Sequence, residues 1–217
     1  MSNKEKKTEL PYDQFLKQCI CKTREDSKTP VRGQKAYRIY QIALKAQHLE
    51  GCTAEVGVFG GVTTRMIAEV LERKHYAYDT YEGILGADAT KGDKHKDGQF
   101  NCSLESVKNY VGENDNIEYV VGMFPDTFTQ ENEKFILVHS DTDTYMGTKT
   151  SIEKFWPLIV SGGFLVIDDY KWRFCAGVTR ACEEFMKHED TIATLNKCES
   201  SIAWRHEHGN QLFLKKR

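Results

Sequence analysis

Glu55-Val56-Gly57-Val58-Phe59-Gly60-Gly61-Val62-Thr63 decides how this chain is read. The residues ahead of Gly57 suit a buried strand and the glycines suit a tight turn. Val62, Met66, Ile67, Val70 and Leu71 then fall on one helical face. A strand, a glycine turn and a helix in direct succession form the layout of a nucleotide-type cofactor site at the first crossover of an α/β sheet. Gly57, Gly60 and Gly61 lack the Cβ that would keep a backbone away from a ligand, and Phe59 and Thr63 belong to the same turn.

A dinucleotide turn usually reads G-x-G-x-x-G and holds a pyrophosphate on the helix N-terminus. Glu55, two residues before Gly57, repels such an anion. It suits a cationic or hydrogen-bond-donating group, such as the amino-acid end of S-adenosylmethionine. The plainer alternative is that these glycines serve packing alone. The next strand ends at Asp79, with Glu82 shortly after, and an acid about 20 residues beyond the glycines is placed to accept from ribose hydroxyls. Asp79 is the first choice and Glu82 the second.

Strands are expected at Thr53–Val58, His75–Thr80, Ile117–Val121, Phe135–Ser140 and Gly163–Asp168. Helical patterns alternate with them: from Pro30 to a stop at Gly51, after the glycine turn, over Ser103–Val111 and Thr150–Leu158, and through Val178, Ala181, Cys182, Phe185 and Met186. This alternation predicts a doubly wound α/β fold, a mainly parallel sheet with helices on both faces. Ile192–Leu195, Ile202–Arg205 and Gln211–Lys215 read as short strands, the last two joined by a turn at His208-Gly209-Asn210, so an antiparallel C-terminal strand is expected. Residues 1–9 read as a disordered tail and 10–217 as a single domain. The polar stretch 83–101, rich in Gly, Asp and Lys, reads as a lid loop over the site.

The chain has 217 residues, 30 Lys and Arg against 32 Asp and Glu, and a net charge of -2, which gives no footing for a nucleic acid partner. No apolar run approaches the roughly 20 residues that span a bilayer. Seven scattered cysteines without paired CxxC spacing, and a charged N-terminus without an apolar leader, point to reduced thiols in the cytoplasm.

The fourth strand runs out into Asp141-Thr142-Asp143 and the fifth into Asp168-Asp169-Tyr170. Neighbouring strands would bring these acids to one sheet edge, where their mutual repulsion calls for a hard cation such as Mg²⁺ or another divalent ion. Asp141, Asp168 and Asp169 are the candidate ligands. Asp169 as a turn residue and Asp143 as an acid oriented by Tyr145 are the plainer alternatives. His206, near the C-terminal hairpin, and His139, inside the fourth strand, are candidate bases, although a histidine inside a strand is more often a core residue.

These motifs, in order and spacing, resemble the macrocin O-methyltransferase (TylF/MycF-like) family of class I S-adenosylmethionine-dependent methyltransferases. The resemblance runs from about Ala54 to Trp204. Glu55-Val56-Gly57-Val58 with Gly60-Gly61 is similar to E-x-G-V-x-x-G, and Asp79-Thr80-Tyr81-Glu82-Gly83 to D-S-F-x-G. Gly122-Met123-Phe124-Pro125-Asp126-Thr127 is similar to G-x-F-x-D-T, Asp141-Thr142-Asp143-Thr144-Tyr145 to D-x-D-x-Y, and Gly162-Gly163 with Asp168-Asp169-Tyr170 to G-G-x-x-x-x-D-D-Y. It implies a seven-stranded Rossmann-like sheet, homo-oligomers, and Mg²⁺-assisted methyl transfer to a hydroxyl of a sugar or sugar-containing small molecule. By motif, Glu55 and Gly57 contact the methionine end, Asp79 the ribose, and Gly122, Met123 and Phe124 border the adenine. Asp141, Asp168 and Asp169 match the metal set, with Asp141 also at the reacting hydroxyl. Gly86-Ala87-Asp88 departs from the family's loop after the second strand, which leaves the acceptor open. A catechol-like phenolic acceptor and a non-catalytic cofactor-binding protein on the same fold are the rival readings.

Overall fold

A computed structural model of the chain describes residues 6–15, 33–187, 202–204 and 211–217. The chain alternates as its pattern predicts. A short helix α1 (Tyr12–Phe15) and a long helix α2 (Gly33–Ala46) precede strand β1 (Cys52–Val56). Helix α3 (Val62–Leu71), β2 (His75–Asp79), α4 (Leu104–Val111), β3 (Ile117–Val121) and β4 (Phe135–Ser140) follow. Helix α5 (Tyr145–Phe155), β5 (Ile159–Ile167), α6 (Ala176–Met186), β6 (Ile202–Trp204) and β7 (Gln211–Lys215) complete the order.

The seven strands pair in the order β3-β2-β1-β4-β5-β7-β6, and β7 runs antiparallel to both of its neighbours. The chain reverses direction across the sheet between β1 and β4, the switch point where ligands of such folds collect. β4 is buried along its whole length, as a central strand covered on both faces must be. On one face Ala36, Ile39, Tyr40 and Ala43 of α2 pack with Val62, Met66 and Ile67 of α3 over Leu137, Val166 and Phe213. On the other, Ile152 and Phe155 of α5 and Val178 and Cys182 of α6 pack over Val56, Tyr78, Val138, Leu165 and Ile167.

The structure moves several expected boundaries. Helix α5 begins at Tyr145 rather than Thr150, because the Thr144 hydroxyl accepts from the Gly147 N–H at 3.2 Å and caps it. A Cβ on Gly147 would lie 2.7 Å from the Thr142 side chain, so the first turn of the helix needs a glycine. Its last expected turn, Trp156–Leu158, is 3-10, with Pro157 at its start. β5 begins at Ile159, four residues before the expected Gly163, and Gly162 donates to the Lys216 carbonyl at 2.7 Å.

Of the tail expected over 1–9, residues 7–9 lie against α2. The Lys7 N–H donates to Gln47 Oε1 at 2.9 Å, and the Tyr37 and Gln41 side chains donate to the Glu9 carboxylate at 2.9 and 2.6 Å. The strand expected at Ile192–Leu195 and the turn at His208-Gly209-Asn210 lie outside the described residues. Among the described residues no helix is long and apolar enough to cross a membrane.

Candidate active site

The register of the central strands builds the site. Glu55 pairs with His139 across β1 and β4, and Ser140 pairs with Ile167 across β4 and β5. The ladder continues one rung further. The Asp141 N–H donates to the Val56 carbonyl at 2.8 Å, and the Asp168 N–H donates to the Ser140 carbonyl at 2.9 Å. Three strand ends are therefore level, and the acids emerge side by side.

A cavity of about 510 Å³ opens above this edge, within the range for small-molecule and cofactor sites. Of the expected cofactor residues, Glu55, Gly57, Phe59, Thr63, Asp79, Gly122, Met123 and Phe124 line it. Gly60, Gly61 and Glu82 do not. Gly61 follows the packing alternative: at φ 79° it precedes α3, and a Cβ there would meet Val107 and Val111 of α4 at 2.9 Å. Glu82 is exposed. Gly57 has φ 90°, and a Cβ there would sit 2.1 Å from the Asp141 carbonyl oxygen. Only glycine lets the turn lie this close to the end of β4.

Asp79 holds the turn itself. Its Oδ2 accepts from the Val58 and Phe59 N–H groups at 2.7 and 3.0 Å, and its Oδ1 accepts from the Tyr81 N–H at 2.7 Å. The carboxylate expected at a ribose thus first ties the glycine turn to the loop after β2. Glu55 is buried, with Oε2 accepting from the Thr64 hydroxyl and Oε1 2.8 Å from His139 Nδ1. His139 is buried in β4 beside Glu55, and its Nε2 has no hydrogen-bond partner among the described residues. His206 lies outside the described residues.

Asp141, Asp143, Asp168 and Asp169 all line the cavity. Burial, then the neighbouring Asp168, Asp143 and Asp169, hold the Asp141 carboxyl well above the usual range. Burial and Asp169 push Asp143 up to about 7. Asp143 is not oriented by Tyr145, as its alternative reading had it; the Tyr145 N–H donates instead to Asp93 at 2.8 Å, and Asp143 faces Cys175.

Sequence reading missed Lys35. This α2 residue places Nζ 2.6 Å from Asp169 Oδ1 and 3.1 Å from Asp168 Oδ2. Its pKa is raised because the attraction of Asp168, Asp141 and Asp169 outweighs burial, its largest single influence. Neither local spacing nor a motif marks Lys35, since it meets the acids only through the packing of α2.

The donor set fits a hard divalent cation. Asp141, Asp143 and Asp169 each offer an oxygen within 4.8 Å of the others, and a ring nitrogen of His139 forms a second such group with an oxygen each from Asp141 and Asp168. Asp168 Oδ1 is buried with no hydrogen-bond partner among the described residues. An acceptor in that state leaves room for a ligand.

Gly83, Ile84, Leu85, Gly86, His95 and Phe100 of the 83–101 loop form one cavity wall, and Met146 and Trp172 add to the lining. Leu85, Phe100, Met123 and Met146 are exposed apolar side chains, concentrated at this mouth.

The macrocin-O-methyltransferase (TylF) family matches residues 36–206, and the chain belongs to that family. It is 25% identical over 179 residues to the 8-demethyl-8-(2,3-dimethoxy-alpha-L-rhamnosyl)-tetracenomycin-C 4'-O-methyltransferase of Streptomyces olivaceus, covering 74% of this chain and 68% of that one. The solved O-methyltransferase NovP shares the fold with a TM-score of 0.71 at 20% identity, over 88% of this chain and 82% of that one. An O-methyltransferase from Bacillus cereus, solved in complex with SAH, superposes with a TM-score of 0.60 at 14% identity, over 94% of this chain and 90% of that one.

Proposed function

We propose that this member of the macrocin-O-methyltransferase family transfers a methyl group from S-adenosylmethionine to a hydroxyl of a sugar-containing small molecule, with Mg²⁺ or another divalent cation. One observation carries the reading. A glycine turn tied down by Asp79 and a cluster of four acids open into the same cavity, at the switch point of the sheet. The family and the rhamnosyl-directed relative support the reaction and the acceptor class.

S-adenosylmethionine, when bound, supplies an electrophilic methyl group. Asp141, Asp168 and Asp169 are assigned to hold the cation, which supplies a Lewis acid that lowers the pKa of an acceptor hydroxyl. The remaining work belongs to the chain. Asp79 fixes the Val58 and Phe59 backbone, so the turn meets a ligand without reorganising. Phe59, Ile84, Leu85, Phe100, Met146 and Trp172 give the cavity an apolar wall that a bound acceptor would cover. Asp141, next to the Gly57 backbone, lies where the two halves of the site meet and is assigned to orient the acceptor hydroxyl. The exposed apolar rim suits an acceptor whose sugar is attached to a larger apolar body.

Calorimetry with S-adenosylmethionine and with NAD tests the cofactor. Mass spectrometry of glycosides and catechols incubated with labelled S-adenosylmethionine and Mg²⁺ tests the acceptor. Saturable S-adenosylmethionine binding and label on a glycoside hydroxyl are expected. No S-adenosylmethionine binding overturns the reading, label on catechols alone replaces the acceptor class, and methyl transfer that survives EDTA removes the metal.

A further inference from the structure

Beside the acids assigned to Mg²⁺ lies a group of a different chemical kind. His95 Nε2 is 3.6 Å from Cys175 Sγ, and Cys175 Sγ is 3.5 Å from Asp143 Oδ1. One nitrogen, one sulfur and one oxygen, all within 4.8 Å of one another, come from the 83–101 loop, the residue before α6 and the connection between β4 and α5. We infer that His95, Asp143 and Cys175 form a site for a zinc-class divalent ion, with a fourth position open to water or to a substrate oxygen. The inference does not depend on the methyl-transfer reading.

The distances match the ion's requirements. A tetrahedral Zn²⁺ with Zn–S near 2.3 Å and Zn–N or Zn–O near 2.0–2.1 Å separates sulfur from the other two ligands by about 3.5–3.6 Å. Both sulfur edges of the group, 3.6 and 3.5 Å, fall there. A thiol and an imidazole are poor partners for Mg²⁺ or Ca²⁺, which take oxygens, and good ones for Zn²⁺ or Co²⁺. Three protein ligands and one open position describe a catalytic zinc site rather than a closed structural one.

The scaffold that delivers His95 is fixed. Asp93, two residues earlier, is 4% exposed and bridges to the Cys175 backbone. Its Oδ1 accepts from the Tyr145 N–H at 2.8 Å and its Oδ2 from the Asp88 N–H at 3.0 Å. A Cβ on Gly177 would lie 2.0 Å from Asp93 Oδ1, so α6 has a glycine where the loop presses against it. Phe100 meets the His95 ring edge-on at 5.2 Å and limits its rotation. Asp169 faces both ways: Oδ1 bonds Lys35, and Oδ2 lies 3.8 Å from the Cys175 sulfur. An ion at His95, Asp143 and Cys175 therefore pins the cavity wall to the edge that carries the acids.

The test uses the full chain stripped of metal and titrated with Co²⁺ and Zn²⁺, with and without excess Mg²⁺. Expected are the intense ligand-field bands of tetrahedral Co²⁺ with thiolate-to-cobalt charge transfer in the near ultraviolet, and one bound Zn²⁺ that excess Mg²⁺ does not displace. Cys175→Ser abolishes the charge-transfer band. His95→Ala, in a loop and remote from the core, weakens Zn²⁺ at least about tenfold. With excess Mg²⁺ present, Asp168→Asn leaves the thiolate-to-cobalt charge-transfer band in place. A Co²⁺ spectrum without charge transfer, a His95→Ala protein that binds Zn²⁺ as tightly as the parent, or displacement of Zn²⁺ by Mg²⁺ overturns the inference.

Discussion

Lys35 and Asp169, 134 residues apart in the chain, meet at 2.6 Å in the acid cluster. The ammonium sits between Asp168 and Asp169, where the proposed divalent ion would compete with it. Lys35→Met removes the cluster's internal counter-charge, and breaking such a pair costs about 3–5 kcal/mol. The metal-free protein is expected to lose stability on that scale. Mg²⁺ is expected to restore more of it in the variant than in the parent. Thermal unfolding with and without Mg²⁺ checks both; equal Mg²⁺ stabilisation of the two proteins sinks the idea.

Gly57 and Gly86 make a matched pair. Both have positive φ, 90° and 70°, but a Cβ at 57 would strike the Asp141 carbonyl while one at 86 has open space. Gly86→Ala is expected to cost about 1–2 kcal/mol through backbone strain alone. Gly57→Ala adds a collision with backbone and is expected to cost more than about 3 kcal/mol, with loss of S-adenosylmethionine binding. Urea denaturation and calorimetry on the two variants measure the difference.

Thr64 donates its hydroxyl to the buried Glu55 carboxylate. Thr64→Val keeps the shape and deprives that carboxylate of a donor, at an expected cost of about 1–3 kcal/mol. Thr64→Ser, which keeps the hydroxyl, is expected to recover most of it. If the serine variant unfolds at the same urea concentration as the valine variant, the bond contributes nothing.

Two groups set opposite slopes of stability against pH. Burial lowers His75 to about 3, so the unfolded chain gains a proton below its ordinary 6.5 while the folded one does not. That contribution is present above pH 6.5 and is lost as pH falls toward 3. Asp143, raised to about 7, behaves the other way: the folded state keeps its proton while the unfolded state releases it near 3.8. Its contribution is present below that value and is lost as pH rises through 7. His75→Phe is expected to flatten the acid limb of the curve, and Asp143→Asn the limb between about pH 4 and 7. Denaturation midpoints across pH read both.

Much of the fold was legible because burial imposes period. The strands around Ala54, Ala77 and Val138 read correctly to within two or three residues, as did the helix of Val178 and Cys182. The start of α5 did not, because Thr144 and Gly147 act through a cap and a close contact rather than through apolar spacing. In the site, Gly57, Asp79 and the four acids were visible as motifs at strand ends. Lys35, His95 and Cys175 were not, since each reaches the cavity edge by tertiary packing from a distant segment. The role of Asp79 in tying down backbone was also hidden, because one acid at a strand end has the same sequence signature in either role.

Asp141 and Asp168 occupy the last rungs of the sheet ladder. Their spacing is therefore inherited from the separation of paired strands, about 4.8 Å, and no loop has to preserve it. The acid edge and the loop-built cavity wall can then change independently of each other. Exchanging the cavity-lining part of the 83–101 loop, with the buried Asp93 kept, leaves the carboxylate geometry standing while that wall of the cavity is rebuilt. For engineering, this makes that part of the loop the segment to randomise and the strand ends the segment to leave alone.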